Sequence, residues 1–212
     1  MSLSNSSGPV DLRAEFGPAR DQGRRPTCLA FAASAAHEHL RTVGDVLSPE
    51  ALFSGSKSRD GLPKTAGTTV PAMTTALRED GQCLEEEWPY GTAGPPRPGS
   101  VFHRAVMVRS GAGDVLKFIQ ETLVSGAPAV LIAGLTPAWF IVGKDGVIDP
   151  PSTSDELLGY HAVVGIGYDA GRGLLLIRNS WGEGWGESGY AQLPFAHVDR
   201  HGWAGLRLAH TR

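Results

Sequence analysis

The chain has little cysteine, no marked excess of either charge and no long apolar run. Only Cys28 and Cys83 occur among its 212 residues. Two cysteines allow one bridge at most, which excludes a disulfide-stapled framework and predicts two free thiols in a reducing, cytoplasmic setting. The net charge is -3 and no basic stripe stands out, so neither nucleic acid nor an anionic membrane is an expected partner. No apolar stretch approaches the length of a membrane span. The opening MSLSNSSGPV lacks the basic and apolar regions of a signal peptide and reads as a flexible end over residues 1–10. No metal or cofactor is expected, because no histidines have ligand-like spacing. His37 and His39 lie two apart on a predicted helix and point apart, while His103, His197, His201 and His210 read as surface groups.

What is present is a globular composition. Hydrophobic residues make up 41%, enough for a sizeable core, and 28 glycines with 15 prolines predict many turns. CLAFAASAAHEHLRTV, from Cys28 to Val43, is Ala-rich and free of Gly and Pro. It predicts a helix capped by Thr27, with Leu29, Ala32, Ala36, Leu40 and Val43 on one face. LSPEALF starts a second helix with Ser48 as cap and Pro49 at its first position, and PAMTTALRED (71–80) is a third, ended by Gly81. EEEWPYGTAGPPRPGS is an extended crossover in which 85–87 forms a solvated acidic face. GDVLKFIQETLVSG (113–126) is an amphipathic helix. Strand-like runs follow: PAVLIAG, WFIVG, HAVVGIGY, LLLIRN, GYAQLPF and AGLRLAH. The expectation is α+β: a mainly helical lobe over about 20–105, a mainly β lobe over about 106–212, and a site in the seam between them.

A nucleophilic thiol needs a base, a group that holds the base, and donors for the developing oxyanion. Cys28 sits at a predicted helix start, where free amides and the helix dipole favour a thiolate. His161 opens a strand 133 residues later, Asn179 ends LLLIRN, and Gln22 lies six residues before Cys28. Taken singly these are weak signals. A cysteine in an alanine-rich helix usually packs as a small apolar residue, and Cys83 reads as such. The order Cys, His, Asn at this separation is specific.

DQGRRPTCLAF, LSPEAL, EEEWPYG, YHAVVGIGYD and LIRNSWGEGWGESGYAQL together resemble the papain-like cysteine peptidases over residues 21–193. The resemblance implies a two-lobe fold with an antiparallel, β-barrel-like C-terminal lobe. It implies Cys28 as nucleophile paired with His161, Asn179 as orienter, and Gln22 with the Cys28 amide as oxyanion hole. Trp181 would cover the Asn–His contact and Trp185 would line the leaving-group side. Thr68 and Thr69 stand where the family has a Gly-Gly that pairs with the substrate backbone, and their side chains narrow that approach. Val70, Pro71 and Ala162 would line the main specificity pocket, which predicts an apolar residue two before the cut.

The chain departs from the family pattern in places. Arg25 replaces a bridging cysteine, and ALFSGSK lacks the partner, which agrees with a reducing location. Leu29 replaces an aromatic, and Tyr160 precedes His161. Arg24 and Arg25 would be solvent-exposed, close enough to favour the thiolate or attract an acidic segment. About twenty residues precede Gln22 where the family carries an inhibitory prosegment. Either that prosegment lies outside the sequence given, or control is expected from narrow specificity, a regulatory protein partner or expression, as in compact bacterial relatives. The leading expectation is an endopeptidase acting on peptides or proteins through an acyl-enzyme. The rivals are an acyltransferase that passes the acyl group to an amine, and a non-catalytic peptide binder.

Overall fold

A computed structural model describes residues 8–42, 44–111, 113–143 and 145–211. Residues 1–7 of the expected flexible end, and Val43 of the expected helix face, lie outside the described residues. Val10 is not a loose end. Val10–Asp11 (β1) pairs antiparallel with Tyr168 and Gly167. A Cβ at Gly167 would lie 2.2 Å from the Val10 carbonyl oxygen, so only glycine admits this approach.

The first long element is α1, Cys28–Arg41. Its alanines do more than make one apolar face, because every side chain from Leu29 to His37 is buried. The helix is wrapped on all sides and packs against the later sheet, with small side chains permitting close approach. Thr27 stands at the cap position but its side chain does not cap. Its hydroxyl bonds instead to the Tyr90 hydroxyl at 2.7 Å.

α2, Pro49–Lys57, begins as its sequence dictates. Ser48 Oγ accepts from Ala51 N at 3.1 Å, with Pro49 filling the first position. α3, Val70–Glu79, is capped in the same way by Thr69, whose Oγ1 accepts from Ala72 N. Residues 85–100 make a series of turns rather than an extended crossover. Glu85 accepts from Tyr90 N and Glu87 from Leu84 N, so of the expected solvated face only Glu86 is exposed.

The second half adds β2 (Ala105–Arg109), α4 (Val115–Val124), β3 (Ala129–Leu135), β4 (Gly159–Asp169), β5 (Leu174–Arg178), β6 (Tyr190–Pro194), α5 (Phe195–His201) and β7 (Gly202–His210). The strands make one antiparallel sheet in the order β2-β7-β3-β4-β5-β6, with β1 alongside β4. Barrel-like closure does not occur among the described residues. β2 and β6 are its edges, and main chain at 146–148 takes the free edge of β6 through Gln192. WFIVG is not a strand. Pro137 fixes a 3-10 turn over Pro137–Phe140, and Trp139 inside it is fully buried. One apolar cluster runs through α1, α3, β3, β4 and β5 and so joins the two halves.

Candidate active site

Three chain segments meet where α1 begins: the turn 21–27, the start of β4 and the end of β5. Cys28 is the first residue of α1 and His161 lies near the start of β4. Both line one cleft. The ring of His161 is fixed by one bond, with Nε2 2.7 Å from Asn179 Oδ1. Ser180 N also donates to that oxygen, at 2.8 Å, so the amide orientation of Asn179 is determined. His161 must therefore donate from Nε2, which leaves Nδ1 as the free base of the neutral ring.

Burial favours the neutral form of each partner taken alone. It pushes the Cys28 thiol up, opposed by the backbone amides of Ala162, Leu29 and Cys28. It pushes His161 down to about 4, opposed by Asn179. Charge separation here needs mutual attraction within a dry site, aided by the amides at the start of α1.

Gln22 is buried and pinned at three points. Its N–H donates to Ser180 O at 2.9 Å, its Oε1 accepts from Ser180 Oγ at 2.6 Å, and its Nε2 donates to Arg25 O at 2.8 Å. One N–H of the side-chain amide remains for a reacting oxygen. The Tyr90 hydroxyl donates to Gln22 O at 2.8 Å, which ties this turn to the segment after α3.

Arg25 is not a free surface cation. It forms a forked pair with Glu50 on α2 and stacks over Tyr90 and Phe53, 4.8 and 5.4 Å from the ring centroids. Glu50 also accepts from Gly91 N at 2.9 Å. Burial alone would raise the Glu50 carboxyl, but Arg25 and the Gly91 amide outweigh it and hold it below its ordinary value. This ion pair stands where the family resemblance implies a disulfide. Cys28 and Cys83 are both free thiols, and burial pushes Cys83 to about 11.

The cleft beside Cys28 and His161 holds about 530 Å³. Thr68, Thr69, Val70, Pro71 and Ala162 line it. Tyr160, Ile132 and Trp203 also line it, and among the described residues no Asp, Glu, Lys or Arg does. Tyr160 and Trp203 are 59% and 46% exposed at the rim, with Arg109 stacked 4.3 Å over Trp203. Trp181 and Trp185 lie elsewhere, in an aromatic cluster around His161. Trp181 tilts against the His161 ring at 4.8 Å, Trp139 meets it edge-on at 6.0 Å, and Phe140 stacks on the far side of Trp181 at 5.2 Å. Trp185 packs edge-on against Trp181 and its Nε1 donates to Trp139 O.

Ser180, Tyr90, Trp139 and Trp203 are the site residues that sequence reasoning missed. Pro137 behind Thr136 was the available sign that 137–140 turns rather than extends. Of the four histidines expected on the surface, only His210 is exposed. His197 is fully buried with Nε2 2.9 Å from Gly134 O. Among the described residues, no three His, Cys, Asp or Glu side chains are placed to hold a metal.

A profile of papain family cysteine proteases matches residues 7–200. Cathepsin J of Mus musculus is 30% identical over 203 residues, covering 89% of this chain and 60% of that protein. An uncharacterized peptidase C1-like protein of Acanthamoeba polyphaga mimivirus is 24% identical, covering 84% of this chain and 64% of its own length. The chain thus spans about three fifths of the length of these curated relatives. Among solved structures, xylellain, a cysteine protease from Xylella fastidiosa, superposes with a TM-score of 0.81 at 26% identity, covering 97% of this chain and 87% of that one.

Proposed function

We propose, because this chain belongs to the papain family of cysteine proteases, that it hydrolyses peptide bonds through a thioester at Cys28. The observation that carries the reading is His161, held at 2.7 Å by Asn179 and lining one cleft with Cys28 at a helix start. In this reading the Cys28 proton passes to His161 Nδ1, and the thiolate attacks the peptide carbonyl. The oxyanion takes the free Gln22 N–H and the Cys28 amide. His161 then gives its proton to the leaving amine, which departs and leaves the thioester. Water enters, loses a proton to His161 and attacks; the thioester opens, Cys28 is released and the acid product leaves.

The uncharged cleft wall supports an apolar residue two before the cut. The free thiols support action in a reducing, cytoplasmic setting. Control by a regulatory protein partner is part of the same proposal. A second reading, transfer of the acyl group to an amine, is supported by the exposed Phe140 on Trp181, an apolar shelf on the side where an acceptor arrives.

The test is intact-mass labelling with an epoxysuccinyl peptide on wild type and Cys28→Ala, followed by peptide turnover. One adduct on wild type and none on the variant is expected, with cleavage lost in Cys28→Ala. Absence of an adduct on folded wild type would leave only the peptide-binding role. Product ligated to an added amine in preference to hydrolysis would establish the second reading.

A further inference from the structure

A small cavity of about 10 Å³ lies behind Asn179, between α1 and the ends of β4 and β5. Arg20, Ala35, Glu38, Arg178, Asn179 and Ser180 contribute to its wall. Two donors in that wall, Asn179 Nδ2 and Arg178 Nε, are buried and lack a partner. The orientation of Asn179 is set by Ser180 N and His161 at Oδ1, so Nδ2 must point away from His161. Arg178 spends Nη2 on the carbonyls of Gly17 and Pro18, which leaves Nε to the interior.

A buried donor without an acceptor is destabilising, because it has lost its hydration and gained no partner. The space is that of a single water, about 10–15 Å³, and a buried water needs two to four polar partners. Glu38 is the one acidic residue of the wall. Its Oε1 accepts from Leu47 N at 2.9 Å and lies 3.6 Å from Arg20. Arg20, Glu38 and Arg178 also line an open groove of about 550 Å³ on the outer side.

We propose that one water in this cavity accepts from Asn179 Nδ2 and Arg178 Nε and donates to Glu38, making Glu38 a positioning residue for Asn179 and, through it, for His161. The chain of contacts runs from the middle of α1 to the ring that serves as base. Its kinetic consequence rests on the peptidase reading; the water itself does not.

The test follows the Asn179 side-chain amide, the His161 Nε2–H resonance and steady-state kinetics in wild type, Glu38→Gln, Glu38→Leu and Ala35→Val. Wild type should show a cross-relaxation peak between the Asn179 amide and a long-lived water. Glu38→Leu should lose that peak, lower kcat about tenfold at unchanged KM, and broaden the His161 resonance through solvent exchange. Glu38→Gln keeps an acceptor and should keep the peak and most of the turnover. Ala35→Val fills the cavity and leaves Glu38 in place, so it must give the same losses even if Glu38→Leu does not fold. A wild-type amide without the water peak overturns the proposal, as does loss of the peak with kcat and the resonance unchanged. If wild type holds the water but cuts no peptide, the peptidase reading fails instead, and the resonance alone decides the positioning role.

Discussion

Ser180 Oγ donates to Gln22 Oε1 at 2.6 Å, joining the residue beside the histidine's anchor to the turn that precedes Cys28. Ser180→Ala should leave a buried amide oxygen without its donor, at about 1–3 kcal/mol. The expected kinetic result is a lower kcat at unchanged KM. Gln22→Ala should lower turnover roughly ten- to a thousand-fold, as loss of an oxyanion donor does. Adding Ser180→Ala to Gln22→Ala should then cost little more. Full additivity in such a double-mutant cycle would show that Ser180 does not act through Gln22.

Trp203 and Tyr160 form the outer wall of the uncharged cleft. Trp203→Ala should reduce the preference for a large apolar residue two before the cut. The ratio of kcat/KM for leucine over alanine at that position should fall about tenfold. A peptide series cleaved with an unaltered ratio would place the specificity pocket elsewhere.

Arg25 and Glu50 make a tie that titrates. The Glu50 carboxyl lies below its ordinary value in the fold, so it binds fewer protons than in the unfolded chain. Its contribution is complete above the ordinary carboxylate range and is lost as pH falls through the folded value. Arg25 is 39% exposed, so solvent screens the pair and Glu50→Gln should cost about 1–2 kcal/mol at neutral pH. Its melting temperature should depend less on pH in acid than that of wild type. Equal slopes would mean the pair carries no stability.

His37 is buried on α1 and bonds through Nδ1 to Gln82 Oε1 at 2.9 Å. Burial lowers it from 6.5 to about 4, so between those values the unfolded chain binds a proton that the fold does not. Stability should therefore rise with pH across that window and fall on acidification, by about 3 kcal/mol for this group. His37→Asn retains a donor for Gln82 and should flatten the acid limb seen by chemical denaturation. An unchanged limb would assign acid sensitivity to other groups, His161 among them.

Much of this was legible in the chain because local chemistry agreed with the fold. Ser48 with Pro49 started α2 as expected, and NSWGEGWGESGY delivered Asn179 beside His161. Gly189 shows why that motif is so constrained: its φ is +87°, and a Cβ there would lie 2.1 Å from that of Ala19. What the sequence hid depends on contacts between distant segments. Thr27 looked like a cap, yet Tyr90, sixty-three residues away, claims its hydroxyl. Arg25 looked like a surface charge until Glu50 and two aromatic rings enclosed it. Trp139 sits in a run of apolar residues whose period could not separate a strand from a buried turn. His197 carries no local mark of burial, because its environment comes from β3 and Trp139.

A short main-chain bridge links Asp21 to Trp181, and Gln22 N reaches Ser180 O beside it. These bonds join the helical half to the sheet beside Gln22. Because Ser180 follows Asn179 directly, Gln22 and the residue that holds His161 share one main-chain frame.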